Sequence, residues 1–231
     1  MKIFGDERLL SLGIINGTAT REPGNMRDFA NQAKVYEKLG IPQPDVLTFK
    51  QVHGTKIIEV NNDEDFEFCK THPEQEADAW LITRPRTGAA ILTADCVPFF
   101  VWNEDGSAVG LGHSGWRGVV AKLPTLLTQS VKAKGEGKKI FAYAGPHIQQ
   151  CCFEVKDDIV GKFAPSSVEE RDGKLFVNLR NEIKLQMVAA GVDEQNLHMP
   201  CACTCHNKEM FFSFRRDGTK DCILSFIYKM K

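Results

Sequence analysis

The chain has 231 residues, of which 42% are hydrophobic and 26% charged, an ordinary composition for a globular protein with a sizeable core. Its net charge of −1 lacks the basic excess typical of nucleic-acid-binding proteins. No apolar stretch reaches the about 18 residues that a membrane-spanning helix needs, and the first residues lack the apolar core of a signal peptide. We therefore expect a cytoplasmic protein without a nucleic-acid or membrane partner, whose 8 cysteines stay reduced.

Apolar periodicity and turn residues divide the first part of the chain into short strands, one helix and one loop. In chain order we expect one or two strands over 1–24, a helix capped by Asn25 and ended by Gly40, two strands over 45–60, an exposed acidic loop over 61–76, a buried strand over 77–83 and a turn over 84–88.

The rest of the chain begins with two apolar strands and continues with further strands and three helices. We expect a strand ending at 93–96, strands over 97–102 and 107–111, a helix over 118–134 that Pro124 kinks or delays, a strand over 140–144, a helix over 157–163, a strand over 174–177, a helix from its cap Asn178 to Ala190, and a final strand over 222–228.

The pattern excludes several common nucleotide-binding folds. Strands and helices alternate too irregularly for a doubly wound sheet, and neither GxGxxG nor GxxxxGK[ST] occurs. We see no internal repeat, linker or low-complexity segment, so we expect one domain over 1–231. The pattern indicates no particular oligomeric state.

The stretch 91–120 carries the strongest functional signal. A thiol, Cys96, and an imidazole, His113, follow neighbouring strands, and glycines around the imidazole leave room for a ligand. A second imidazole, His53, lies in another glycine-containing turn. Two imidazoles and a thiolate with one open position form a typical catalytic zinc site. The spacing is also compatible with a buried, inert cysteine.

The same side chains support a mechanism without metal, in which His113 activates Cys96 as the nucleophile of a cysteine hydrolase. Asp95 could orient an imidazole or shuttle a proton, or could simply bind backbone amides at the end of its strand. Arg117, in the first turn of a helix, creates an anion site or forms a structural ion pair. His147, after Gly145-Pro146, is the remaining histidine with the best chance of facing the pocket.

The tail is rich in cysteine and then in aromatic residues. Cys201, Cys203 and Cys205 alternate with other residues, so an extended segment would space them about 6.5 Å apart and they cannot all bind one ion without a turn. The spacing is not that of a zinc finger, although a structural zinc site with Cys151 or Cys152 remains an alternative. Arg215 and Arg216 could bind phosphate or cover the adjacent aromatic cluster.

With these residues in view, the sequence resembles the multicopper polyphenol oxidase (laccase-domain) family, whose members act as purine nucleoside phosphorylases. The resemblance extends from about residue 47 to the C-terminus and depends on motifs that occur in the expected order: Gln51–Gly54, Ala77–Ala79, Thr93–Pro98, Gly112–Gly118, Gly145–Ile148 with Phe153–Val155, and Phe211–Asp217.

The resemblance implies a single α+β domain with packed mixed sheets and flanking helices. It implies zinc, or copper in its place, on His53, Cys96 and His113, in a pocket that takes a purine nucleoside and phosphate. Family activities are phosphorolysis of adenosine, inosine and methylthioadenosine, and deamination of adenosine. The residues expected to contact substrate or phosphate are Arg117, Arg215, Arg216, Gln51 and His147, and those expected at the reacting centre are Cys96, His113, His53 and Asp95.

The chain departs from the family pattern in two places. The helix expected after Asn25 follows Thr20-Arg21 almost at once, where relatives carry a longer polar loop, and Thr219–Asp221 replaces a Gly-Arg pair. A conventional copper oxidase needs paired HxH motifs, and none of the 6 histidines is so spaced. The rival hypotheses are a metal-independent cysteine hydrolase and a non-catalytic metal-binding protein.

Overall fold

The computed structural model describes residues 1–231 as strands and helices built around two large sheets. In chain order the strands are β1 (Ile3–Phe4), β2 (Ile14–Ala19), β3 (Val46–Leu47), β4 (Lys50–Gln51), β5 (Ile57–Val60), β6 (Glu76–Ala77), β7 (Ala79–Ile82), β8 (Thr87–Thr93), β9 (Val97–Asn103), β10 (Val109–Ser114), β11 (Ile140–Ala144), β12 (Glu154–Val155), β13 (Val168–Arg171), β14 (Lys174–Val177), β15 (Leu197–His198) and β16 (Ile223–Lys229). The helices are α1 (Glu7–Ser11), α2 (Phe29–Leu39), α3 (Asp63–Thr71), α4 (Trp116–Val120), α5 (Leu123–Ala133), α6 (Asp157–Val160), α7 (Leu179–Ala189) and α8 (Phe214–Asp217).

The two large sheets are both mixed. One has 5 strands in the order β1-β2-β16-β8-β3, and the other has 6 strands in the order β15-β11-β9-β10-β7-β5. Pairing is antiparallel except at the edges, where β3 runs parallel to β8, β15 to β11 and β5 to β7. Small sheets of three strands (β12-β14-β13) and two strands (β4-β6) complete the fold.

Four layers follow from the way the strands distribute their apolar side chains. Ile91 of β8 and Phe100 and Trp102 of β9 belong to one buried cluster between the two large sheets. Phe99 of β9 faces the other way, into a second cluster with side chains of α5 and α7, and the outer face of the five-stranded sheet packs against α2. Every residue of β9 is buried because both of its faces are covered, which explains its unbroken apolar sequence.

The expected α+β class, a single domain with mixed sheets and flanking helices, is confirmed. The strands expected over 97–102, 140–144 and 174–177 and the helix capped by Asn178 are also confirmed. The chain contains no helix with the length and apolar character needed to cross a bilayer.

Several element boundaries were wrong. The expected loop over 61–76 contains α3, because Asn62 caps it by accepting a hydrogen bond from the Asp65 amide. The helix after residue 25 is capped by Asp28 rather than Asn25, and Asn25 instead bonds Asp221 near the C-terminus. The expected turn over 84–88 is shorter because β8 begins at Thr87.

The helix expected over 118–134 is two helices. Lys122 adopts a left-handed conformation with φ of 68°, which ends α4 and changes the chain direction before α5. Pro124 is in the first turn of α5, where its missing N–H costs nothing. The helix expected over 157–163 ends at Val160.

Gly112→Ala is expected to destabilise the fold by about 1–3 kcal/mol through overpacking. Gly112 pairs with Phe99 across β10 and β9, and an added Cβ would lie 2.2 Å from Cζ of that fully buried ring. Urea unfolding midpoints measure the loss. Gly161→Ala is the matched control, because nothing lies within 4 Å of the added methyl group, and it should change stability by less than about 0.5 kcal/mol. Equal stability of the two variants would contradict the prediction.

Candidate metal centre

Three side chains that are far apart in sequence meet at one end of the six-stranded sheet. His53 lies in the turn after β4, Cys96 lies between β8 and β9, and His113 is near the end of β10. Their candidate ligand atoms all lie within 4.8 Å of one another, and Cys96 Sγ is 3.8 Å from His53 Nε2. The structure therefore brings together the three residues that the sequence singled out.

Strand register determines how the thiol and the imidazole meet. β9 and β10 are antiparallel, with Val97 opposite Ser114 and Pro98 opposite His113, so Cys96 enters the site beside the point where β10 ends. Gly115 follows there, and a Cβ on it would lie 3.0 Å from Cys96 Sγ and 3.1 Å from a carbon of the His53 ring. The glycine expected to give ligand access thus keeps the space between two of the three side chains open.

Asp78 holds two of the three residues in place. Its fully buried carboxylate accepts a hydrogen bond from His113 Nδ1 at 2.8 Å and from the backbone amides of His53 and Gly54 at 3.0 and 2.6 Å. The amide bonds support His53 in a left-handed conformation with φ of 61°. Because a carboxylate only accepts, the Nδ1 proton is assigned to His113, which leaves its Nε2 free as a ligand.

The electrostatics of the site favour a thiolate. Burial acts to raise the pKa of Cys96, but His113 and His53 outweigh burial and lower that pKa below its ordinary value. Burial likewise acts to lower the pKa of His113, while Cys96 and Asp78 outweigh it and raise that pKa. Both shifts favour a thiolate at Cys96 and an imidazolium at His113 when no metal is bound. The thiolate is the form of cysteine that binds a metal ion.

The donor set suits a metal ion with one open coordination position. His53 is exposed, Cys96 is half-buried and His113 is buried, so the cluster has a closed inner side and an accessible outer side. The hydrogen bond from His113 to Asp78 is the outer-shell carboxylate contact common for metal-bound histidines. The three residues could therefore hold an ion and still accept a substrate atom or water.

The Asp95 side chain is hydrogen-bonded to residues of the C-terminal tail. Its buried carboxylate accepts hydrogen bonds from Thr204 Oγ1 at 2.6 Å, Ser213 Oγ at 3.0 Å and the Arg215 amide at 2.7 Å. These bonds match the structural interpretation of a strand-end carboxylate. They fix the loop that carries Cys96 against the segment leading into α8.

The three expected anion-binding arginines differ in availability. Arg117 is exposed, stacks over the Trp116 ring at 4.7 Å and makes no ion pair. Arg215 donates to the carbonyl oxygens of Cys152 and Glu154, at 3.2 and 2.9 Å. Arg216 pairs with Asp217 and donates to backbone carbonyl oxygens of the tail. Of the three guanidinium groups, that of Arg117 is the most available for phosphate.

Gln51 joins two sheets and lines a cavity. Its side-chain amide exchanges two hydrogen bonds of 2.8 Å with the backbone of Leu92 in β8. It also borders a cavity of about 340 Å³ that includes Phe29 and Phe49, aromatic residues able to pack against a ring. None of the three clustered ligand residues lines that cavity.

The expectation that His147 faces the pocket was wrong. The ring is completely buried, its Nδ1 bonds the Gly145 carbonyl oxygen at 2.7 Å, and its Nε2 lies 2.9 Å from the Gln149 side-chain amide. Burial lowers the pKa of His147 to about 4, so the ring is neutral and structural.

The site residue that sequence reasoning missed as functional is Asp78. Its signal was a single carboxylate within an apolar run, between Ala77 and Ala79. A lone buried carboxylate requires partners, because an unpaired charge in the core is costly. Only the folded structure shows that those partners are the His113 ring and the backbone amides of His53 and Gly54.

The chain belongs to the family described as multi-copper polyphenol oxidoreductase laccase, which matches residues 23–229. One relative, purine nucleoside phosphorylase of Haemophilus influenzae, is 29% identical over 209 residues, or 86% of this chain and 80% of that protein. Adenosine deaminase RL5, from an unknown prokaryotic organism, is 29% identical over 194 residues, or 78% of this chain and 73% of that protein. The crystal structure of YlmD from Geobacillus stearothermophilus is similar with a TM-score of 0.85 and 25% identity, and the match covers 95% of this chain and 93% of that one. The expected family is confirmed, and its relatives are named for enzymatic activities.

Proposed function

We propose that this protein is a zinc-dependent purine nucleoside phosphorylase acting on adenosine, inosine and methylthioadenosine, with adenosine deaminase activity at the same site. The observation that carries the proposal is the convergence of His53, Cys96 and His113 within 4.8 Å, with an accessible outer side. The names of the relatives from Haemophilus influenzae and of RL5 support the two reactions.

The donor set favours zinc. One thiolate and two imidazoles with an open position match catalytic zinc sites, in which the ion polarises a bound group or activates water. Copper is the alternative ion, since thiolate and imidazole also bind it. The paired HxH motifs of conventional copper oxidases are absent from the sequence, so oxidase chemistry has less support.

The remaining residues position the reactants. Arg117, exposed and without an ion-pair partner, holds the phosphate that attacks C1′ of the nucleoside. Asp78 keeps the His113 ring oriented, and Gly115 keeps the site open beside Cys96.

In phosphorolysis the glycosidic bond breaks, ribose takes the phosphate oxygen and the base leaves with a proton. In deamination, water replaces the amino group of adenosine and ammonia leaves.

A metal-independent cysteine hydrolase is the second candidate. The observation that favours it is the lowered pKa of Cys96 beside His113, which is the nucleophile and base pairing of such enzymes. A non-catalytic metal-binding protein is the third. The three hypotheses differ in whether turnover occurs and in what abolishes it.

Turnover assays on protein of known metal content separate the three. Purified protein is analysed for zinc and copper, then incubated with adenosine and phosphate, and products are separated by chromatography. We expect adenine and ribose 1-phosphate, with inosine from the second activity, and loss of all products after chelation. Turnover by zinc-free protein that thiol alkylation abolishes would instead support the cysteine hydrolase. Bound metal without turnover of any of the three nucleosides would support the non-catalytic protein.

A further inference from the structure

A second cluster of metal-ligating side chains lies outside the site described above. We propose that Cys151, Cys152, Cys203 and His206 bind a structural zinc ion that fastens the tail of the chain to the turn after β11. The proposal does not depend on the nucleoside chemistry. Its ligand atoms all lie within 4.8 Å of one another, as in the first cluster, but it offers four donors instead of three.

The spacing of the donor atoms suits tetrahedral coordination. Zinc–sulfur bonds of about 2.3 Å at tetrahedral angles place neighbouring ligand atoms roughly 3.8 Å apart. Cys151 Sγ is 3.8 Å from Cys152 Sγ, 3.9 Å from Cys203 Sγ and 3.6 Å from His206 Nδ1. These separations are those of ligands around a common ion, and none of the cysteines is in a disulfide.

The backbone prepares the cluster before any metal binds. Cys203 forms a parallel bridge with His147, and the Thr204 amide donates to the His147 carbonyl oxygen at 3.1 Å. The Gln149 amide points to Cys203 Sγ at 3.5 Å, a donor of the kind that stabilises a metal-bound thiolate. The turn at 150–152 and the turn at 204–206 therefore face each other across the cluster.

The neighbouring cysteines show why four donors and not six converge. Cys201 directs its thiol to the Gln149 side-chain oxygen at 3.6 Å, and Cys205 packs against the apolar core. The turn at 204–206 then brings His206 to the cluster, with its Nδ1 3.6 Å from Cys151 Sγ. Three thiolates and one imidazole form a closed set of the kind found in structural zinc sites.

The position of the cluster indicates what the ion would do. The segment that carries Cys203 and His206 also supplies Thr204, which donates to Asp95 beside Cys96. A metal clamp between this segment and the turn at 150–152 would hold that hydrogen bond, and so the loop of the first site, in place. Structural zinc of this type contributes directly to folding free energy.

Cobalt spectroscopy tests the proposal in a protein whose first site has lost its sulfur. In Cys96→Ser, stripped of metal by a chelator and kept reduced with a non-chelating phosphine, added Co²⁺ should produce an intense thiolate-to-cobalt charge-transfer band, because of the two clusters only the second still contains cysteine. Zinc should displace the cobalt and abolish the band. Adding Cys151→Ser with His206→Asn should remove the band, whereas Cys201→Ser, a similarly exposed cysteine outside the cluster, should leave it unchanged.

The cobalt titration has one result that supports the second zinc site and one that overturns it. A band in Cys96→Ser that survives in the Cys201→Ser control and disappears in the cluster variant supports the site. A folded Cys96→Ser protein without the band overturns it, whether its thiols are free or mass spectrometry finds a disulfide between Cys151 and Cys203. The cobalt titration of Cys96→Ser leaves all four proposed ligands in place. Its result therefore tests the proposal even if the variant that lacks Cys151 and His206 fails to fold. Elemental analysis of wild-type protein, with about two zinc ions expected per chain rather than one, is the independent readout.

Discussion

Cys96→Ser is expected to lower metal affinity and nucleoside turnover together, each by roughly 100-fold or more, since loss of outer-shell contacts alone costs about 10–100-fold. Serine keeps the size of the side chain but replaces a soft thiolate with a hydroxyl that stays protonated. The half-buried sulfur lies 3.8 Å from His53 Nε2 and is one of only three candidate donors at the site. Its loss therefore leaves two imidazoles to hold the ion. Metal content and product formation are measured on the same preparation.

Cys201→Ser is the control for that variant. Cys201 is an exposed cysteine that belongs to neither of the two clusters. It should retain the turnover of the wild type. Unchanged metal affinity and unchanged turnover in Cys96→Ser would remove Cys96 from the site. Lost turnover with fully retained metal affinity would favour the cysteine hydrolase.

Asp78→Asn is expected to weaken metal binding by about 10–100-fold and to destabilise the protein by about 2–3 kcal/mol. The carboxylate accepts from His113 Nδ1 and from the amides of His53 and Gly54, and an amide side chain cannot accept all of these bonds with the same geometry. Because Asp78 is completely buried, no water replaces the lost bonds. His113 would also lose the partner that fixes its ring orientation.

Two measurements separate positioning by Asp78 from a purely structural contribution. Urea unfolding of the metal-free protein gives the stability loss, and competition with a chelator under native conditions gives the metal affinity of the folded state. Asp63→Asn, which changes an exposed carboxylate paired with Arg84, should change stability by less than about 0.5 kcal/mol and leave metal affinity unaltered. Full metal affinity in folded Asp78→Asn would show that Asp78 only stabilises the fold.

Local patterns predicted those elements whose environment is uniform along the chain. β9 is covered on both faces, so its unbroken apolar run identified it, and α7 begins at a residue whose side chain caps it in the expected way. Elements whose ends depend on a single cap or a single φ were predicted less well. The acidic segment containing α3 has a polar composition that also fits a loop, and the break at Lys122 depends on one left-handed residue.

The two clusters of metal-ligating residues also differ in how far the sequence alone could predict them. The chemistry of Cys96 and His113 was apparent because Cys96 directly precedes β9 and His113 lies near the end of β10, the next strand in the chain, with glycines beside that imidazole. The tail cysteines had no zinc-finger spacing, since their partners in Cys151 and Cys152 come from a turn some 50 residues earlier. His147 illustrates the opposite error, because a glycine and a proline before it indicated access where the fold buries the ring.

The sequence by itself determined the fold class, the family and the donor types available for a metal ion, because apolar periodicity, motif order and side-chain chemistry are properties of the chain. Only the tertiary structure decided which donors meet, that Asp78 orients His113, that Asp95 braces a loop and that a second group of thiols converges on His206. Those outcomes depend on strand register and on turns that join distant segments. Their distances come from packing of the whole molecule, which no local pattern encodes.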